Sequence, residues 1–194
     1  MKIFQICRFL LFIPLMLTAC SPDSGDNASL IKGSFEIKSP SFTNNSSIPK
    51  MYTCQGNNKS TPLTWNGAPD ETKSFALIMD DPDARPVVGY TWIHWVAYNI
   101  PATVTKLPAA LGTSAMVKLP GGESFTQGLT SWKKPGYGGP CPPKGTGVHR
   151  YIFMLYALKS EPNLPPGLTK EGLLNAIKGN ILAEAKFIGT YTKD

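Results

Sequence analysis

Two histidines occur in the 194-residue chain, and both stand where an apolar run meets a loop. His94 lies inside Thr91-Trp-Ile-His-Trp-Val-Ala-Tyr-Asn-Ile100, and His149 immediately precedes the run Tyr151 to Tyr156. A third apolar run, Ser74 to Met79, ends in Asp80-Asp81-Pro82-Asp83. Side chains at such junctions are held by a sheet yet can face a cavity. If the three runs are neighbours, two imidazoles, two carboxylates and the phenol of Tyr151 line one pocket. Ahead of His149, the stretch Tyr137 to Gly147 places four glycines among three prolines. Glycine permits close backbone approach and proline fixes the path, which is how a loop that cradles a small anion is built.

The same residues admit other chemistry. A histidine base with Asp81 as its partner would serve hydrolysis of a phosphate ester, and a two-His, two-carboxylate cluster would hold a metal. No Ser or Cys stands in a nucleophile elbow, so a binding site rather than an enzyme is expected, with no metal and no cofactor. Lys144-Gly-Thr-Gly147 lacks the Gly-Lys-Thr order of a Walker loop. Singly, His94 among tryptophans reads as a satisfied core histidine and His149 as a loop hydrogen-bonder. Trp65, Trp92, Trp95 and Trp132 read as core or pocket wall.

The formal charge of +6 is a mild excess, of which Lys2 and Arg8 supply two. No five-residue basic cluster or aromatic-basic motif accompanies it, which argues against nucleic acid as a partner. Residues 1–19 read as an export leader, with Lys2 and Arg8 flanking an apolar core, Phe9 to Leu17, too short to span a bilayer. The leader ends Leu17-Thr-Ala-Cys20, which resembles a lipobox and implies diacylglycerol on Cys20 as a membrane anchor; the alternative is an ordinary cleaved signal in which Cys20 is incidental. Ser21 after the cysteine implies sorting to the outer membrane, facing the periplasm. Residues 20–32 form a polar tether, and residues 33–194 form one domain. Cys54 and Cys141 are then the domain's two cysteines. In an oxidising compartment they are expected to pair; the alternative is that they are small buried apolar residues.

The elements that must position the site are mostly strands. Phe35 and Ile37 alternate with polar residues, as do Leu63 to Trp65. Ser74 to Met79, Thr91 to Ile100 and Tyr151 to Leu158 read as buried strands, and Leu107 to Lys134 as irregular. From Leu168 to Ile188, apolar residues recur at helical spacing, with Thr169 as N-cap and Gly189 as stop, which predicts one amphipathic helix closing the domain. The chain is expected to be mainly β with peripheral helices.

Asp81-Pro-Asp-Ala84, Trp92-Ile-His-Trp95 and Pro142-Pro-Lys-Gly-Thr-Gly-Val-His-Arg-Tyr151 resemble, in order and spacing, segments of the phosphatidylethanolamine-binding protein family. Tyr137-Gly-Gly-Pro-Cys-Pro-Pro143 and Tyr52-Thr-Cys-Gln-Gly-Asn57 are similar to its secreted bacterial, Raf-kinase-inhibitor-like branch. The resemblance runs from about Phe35 to Tyr191. It implies a large central antiparallel sheet, a smaller flanking sheet and a C-terminal helix. It also implies a pocket lined by Asp81, Asp83, His94, His149 and Tyr151, with Pro82 at its floor and Gly139, Cys141 and Pro142 as backbone wall. The implied ligand is small and phosphorylated or zwitterionic, with phosphoethanolamine or phosphate suiting the mixed donors and acceptors. The alternative is inhibition of a protease or kinase partner through surface loops.

Overall fold

A computed structural model describes residues 34–193; the expected leader, the lipidated Cys20 and most of the tether lie outside the described residues. Ten strands, two short α-helices and two 3-10 turns follow in order. They are β1 (Glu36–Lys38), β2 (Ser46–Ser47), β3 (Leu63–Asn66), β4 (Ser74–Asp81), α1 (Arg85–Val88), β5 (Trp92–Pro101) and β6 (Lys106–Leu107). After these come β7 (Met116–Lys118), β8 (Ser124–Gln127), β9 (His149–Leu158), α2 (Lys170–Ile177) and β10 (Ile181–Tyr191).

A seven-stranded sheet runs β2-β10-β9-β4-β5-β8-β7, and a three-stranded sheet runs β1-β3-β6. The large sheet is mixed rather than wholly antiparallel, because β2 lies parallel to β10 at its edge. At its centre β4 is buried along all eight residues, which accounts for its unbroken apolar run. Phe75, Leu77 and Met79 join a cluster with Leu63, Trp65 and Leu107 of the small sheet. Ala76 and Ile78 face the other way, toward Leu173 and Ile177 of α2. Each face of the large sheet is therefore covered, one by strands and one by a helix.

The expected C-terminal helix forms as α2 but stops at Ile177, and the residues beyond it are the strand β10. Thr169 is its N-cap, accepting a hydrogen bond from Gly172 N at 3.2 Å. Gly179 then takes a left-handed φ of 77° and turns the chain. Ile181 and Ala185 are four residues apart, a spacing that suits one face of a helix and one face of a strand alike. Gly189 is not a helix stop; it lies inside β10, where a Cβ would come within 2.4 Å of Ile48. The segment expected to be irregular also contains β7 and β8, an edge hairpin too short to show a period. No helix among the described residues is long and apolar enough to cross a membrane.

Candidate functional site

Antiparallel pairing of β4 with both β5 and β9 brings the end of β4 and the starts of its neighbours to one edge of the sheet. Asp81 pairs with Trp92, and Asp80 with Ile152. Asp81 then caps the 3-10 turn Pro82–Ala84, its Oδ1 accepting from Ala84 N at 3.1 Å. A capping carboxylate followed by proline is a ready start for a helical turn. Gly89, at a φ of 86°, ends α1 and returns the chain to β5.

His94 reaches the site through a β-bulge. Met79 pairs with Trp95 and Asp80 with Ile93, leaving His94 as the extra residue. Ile93 consequently packs on the helix side of the sheet while Trp95 packs on the other. His94 is carried to the side of Tyr151, whose ring meets it edge to face at 5.0 Å between centroids. Its Nδ1 donates to the Gly138 carbonyl at 2.6 Å, and its own carbonyl accepts from Gly138 N at 2.8 Å. Burial, opposed by that carbonyl contact, holds its pKa down at about 4.

His149 is held at both nitrogens. Nδ1 lies 2.7 Å from Asp81 Oδ2, with both side chains buried, and Nε2 lies 3.0 Å from Thr146 Oγ1. The Thr146 hydroxyl donates to Pro143 O at 2.8 Å, so its lone pairs face the ring. Burial raises the pKa of Asp81, against the hydrogen bond from His149. The Tyr151 hydroxyl is buried and makes no hydrogen bond of good geometry; burial, the Asp81 charge and a looser contact with the Asp81 carboxylate push its pKa up.

Asp81, His94, Gly139, Cys141, Pro142, His149 and Tyr151 all border one cavity of about 770 Å3. Pro82 and Asp83 are not among the residues bordering it. Asp83 is instead turned to Arg150, which grips it with Nε at 2.8 Å and Nη2 at 2.7 Å while the Arg150 amide donates at 2.9 Å. That grip holds the Asp83 pKa down. Nor do both histidines stand ready as donors toward a ligand: His94 is buried and neutral, and His149 is already bound at both nitrogens. Gly139 N is likewise taken, by Asn58 Oδ1 at 2.8 Å.

Sequence reasoning missed Asn58, Lys134, Tyr137 and Thr146. Asn58 and Tyr137 act at long range, the Tyr137 hydroxyl donating to Tyr52 O at 2.9 Å. Thr146 had a local signal, lying three residues before His149 between two glycines with positive φ. Cys54 and Cys141 are joined, with Cα atoms 5.4 Å apart, and both border the cavity. Around the mouth, Val87, Val88 and Trp132 are exposed, and Tyr90 stacks on Trp92 at 5.8 Å. Among the described residues, no three His, Cys, Asp or Glu side chains converge to hold a metal ion.

Comparison with known proteins agrees with this architecture. The model of the family described as phosphatidylethanolamine-binding protein matches residues 38–192. A UPF0098 protein of Methanothermobacter thermautotrophicus is 46% identical over 157 residues, covering 81% of this chain and 98% of the relative. The crystal structure of Escherichia coli YbcL, described as a member of the mammalian PEBP family, is similar with a TM-score of 0.74 and 36% identity. It covers 84% of this chain and 100% of that one. That of the PEBP homolog CT736 from Chlamydia trachomatis gives a TM-score of 0.71 at 38% identity, over 82% of this chain and 98% of that one. The family is one of binding proteins rather than catalysts. With a family match over most of its length and a shared fold, the chain belongs to the phosphatidylethanolamine-binding protein family.

Proposed function

We propose that the chain is a lipid-anchored envelope protein whose cavity binds a small phosphate-bearing or zwitterionic head-group ligand. The observation that carries this reading is the mixed polar floor of the cavity. Tyr151 brings a buried hydroxyl with no hydrogen bond of good geometry and His94 an imidazole nitrogen; among the described residues, Asp81 is the carboxylate on the wall and Lys134 the cation there. A phosphate accepts from phenol and ammonium, and an ammonium or hydroxyl elsewhere on the ligand meets the Asp81 end.

The mouth suits a place near a membrane. Exposed Val87, Val88 and Trp132 border it, exposed Tyr90 stacks on the bordering Trp92, and the sequence between Arg85 and Gly122 contains no acidic residue. Apolar and aromatic groups with basic neighbours favour an anionic lipid surface. A tether over residues 20–32 reaches at most about 45 Å from a lipid on Cys20. Calorimetry with phosphate and phosphoethanolamine tests the ligand. Tyr151→Phe, which removes only the hydroxyl, is expected to weaken binding about tenfold with the fold intact. Unchanged affinity in that variant removes the phenol from the site, and no heat with either ligand overturns the reading.

A further inference from the structure

Of the two imidazoles on the cavity wall, only His94 has a nitrogen to offer. His149 uses Nδ1 on Asp81 and Nε2 on Thr146. In His94 the contact at Nδ1 is a carbonyl, which only accepts, so the proton of the neutral ring sits on Nδ1. The Gly139 carbonyl is a second backbone acceptor beside the ring, and Nε2, the nitrogen without the proton, makes no close hydrogen bond among the described residues, on a ring that borders the cavity.

The groups around the ring keep it that way. From β9, Tyr151 presents its ring, and His149 is turned into Asp81 of β4. From the segment after β8, Trp132 presents its ring at 5.3 Å, and Lys134 adds a positive charge to the wall. Among the described residues no carboxylate contacts His94 to favour an imidazolium, and burial together with His149 holds the ring neutral down to about pH 4.

Resting on the reading that this cavity binds a phosphate-bearing ligand, we infer that it admits the phosphate only together with one proton, taking phosphomonoesters and disfavouring phosphodiesters. An unprotonated phosphate oxygen at hydrogen-bond distance from Nε2 would set two lone pairs against each other in a desolvated wall. A singly protonated monoester offers P–O–H to Nε2 while its other oxygens accept from Tyr151 and Lys134. The dianion can enter only by driving a proton onto Nε2, which takes up the same single proton from solvent. Apart from that proton transfer from solvent or buffer, no covalent bond forms or breaks. A diester carries no P–O–H, so it must protonate His94 at the full cost of that neutral, buried ring. Inorganic phosphate and soluble head-group monoesters share the favoured chemistry; the phosphodiester of an intact phospholipid does not.

The test is calorimetry on the purified protein with phosphoethanolamine and with its methyl phosphodiester. Titrations run between about pH 6 and 8.5, in buffers of contrasting ionisation enthalpy. A monoester's second ionisation lies near pH 6. Uptake of one proton per phosphoethanolamine is therefore expected at the upper end, with affinity falling about tenfold per pH unit. The diester should bind at least about tenfold more weakly at neutral pH. His94→Gln can turn an amide N–H toward the cavity, so it should flatten the pH dependence and narrow the gap between the esters. Should that variant fail to fold, the proton count of the wild type still decides. Binding without proton uptake, or equal affinity for the two esters, overturns this inference and leaves the binding reading standing. Absence of heat with either ester at every pH overturns both.

Discussion

His94 and Asp81 show how one buried edge of a sheet sets two ionisations in opposite senses. The ordinary histidine pKa is near 6.5, and burial lowers that of His94 to about 4. Between those values the unfolded chain binds a proton that the folded chain refuses, so stability rises with pH and is lost on acidification. At about 1.4 kcal/mol per pKa unit, this one group removes about 3 kcal/mol between pH 6.5 and 4. Asp81 runs the other way. Its pKa is raised by burial, so its contribution is present below the ordinary carboxylate range and lost as pH rises through the raised value. Urea denaturation of wild type and His94→Gln at pH 4.5, 5.5 and 6.5 separates the two. The variant should lack most of the His94 acid limb, and an identical fall in both proteins would show that His94 is not buried neutral.

At the scale of elements, the strands that carry the site were legible and their irregularities were not. The apolar runs expected at Ser74 to Met79, Thr91 to Ile100 and Tyr151 to Leu158 are β4, β5 and β9 within two residues at each end. Long buried strands advertise themselves by composition. The bulge that turns His94 to the cavity side has no such signature, because it depends on the register of β4 against β5. For the same reason, nothing local shows that Asp83 turns to Arg150 while Asp81 turns to His149. Helical spacing past Ile177 misled because a repeat of four also fits a strand. The loop Tyr137 to Pro142 was legible as close-packed backbone, and its two glycines are close-packed against different neighbours. A Cβ on Gly138 would come within 2.2 Å of the Trp132 ring, and one on Gly139 within 2.4 Å of the Tyr52 carbonyl. Half-exposed Trp132 can swing outward, whereas the Tyr52 backbone is fixed. Gly138→Ala should therefore cost about 1 kcal/mol, alter the near-ultraviolet tryptophan signal and loosen the cavity wall. Gly139→Ala should cost about 3 kcal/mol. Thermal denaturation showing the reverse order would place the tight contact on the wrong side of the loop.

Across the whole molecule, the disulfide and the hydrogen bonds beside it divide the work of holding that loop. Cys54 and Cys141 close a ring with a sequence separation of 87 residues that encloses β3 through β8. Closing a ring of that size in the unfolded chain is worth up to about 4.6 kcal/mol, and typical disulfides deliver about 2 to 4. Both cysteines are exposed, so a reductant can reach the bond without unfolding the protein. The native loop, however, has three further ties to the same turn. Cys54 N donates to Pro140 O at 3.1 Å, Gly139 N to Asn58 Oδ1 at 2.8 Å, and the Tyr137 hydroxyl to Tyr52 O at 2.9 Å. These act in the folded state, while the covalent link acts chiefly by restricting the unfolded one. Reduction should consequently lower the urea midpoint by the equivalent of about 2 to 4 kcal/mol. Phosphoethanolamine affinity should change by less than about fivefold, because the cavity wall keeps its native contacts. A large loss of affinity with an unchanged midpoint would reverse that division: the sulfur bridge would be shaping the cavity, and the hydrogen bonds would be following it.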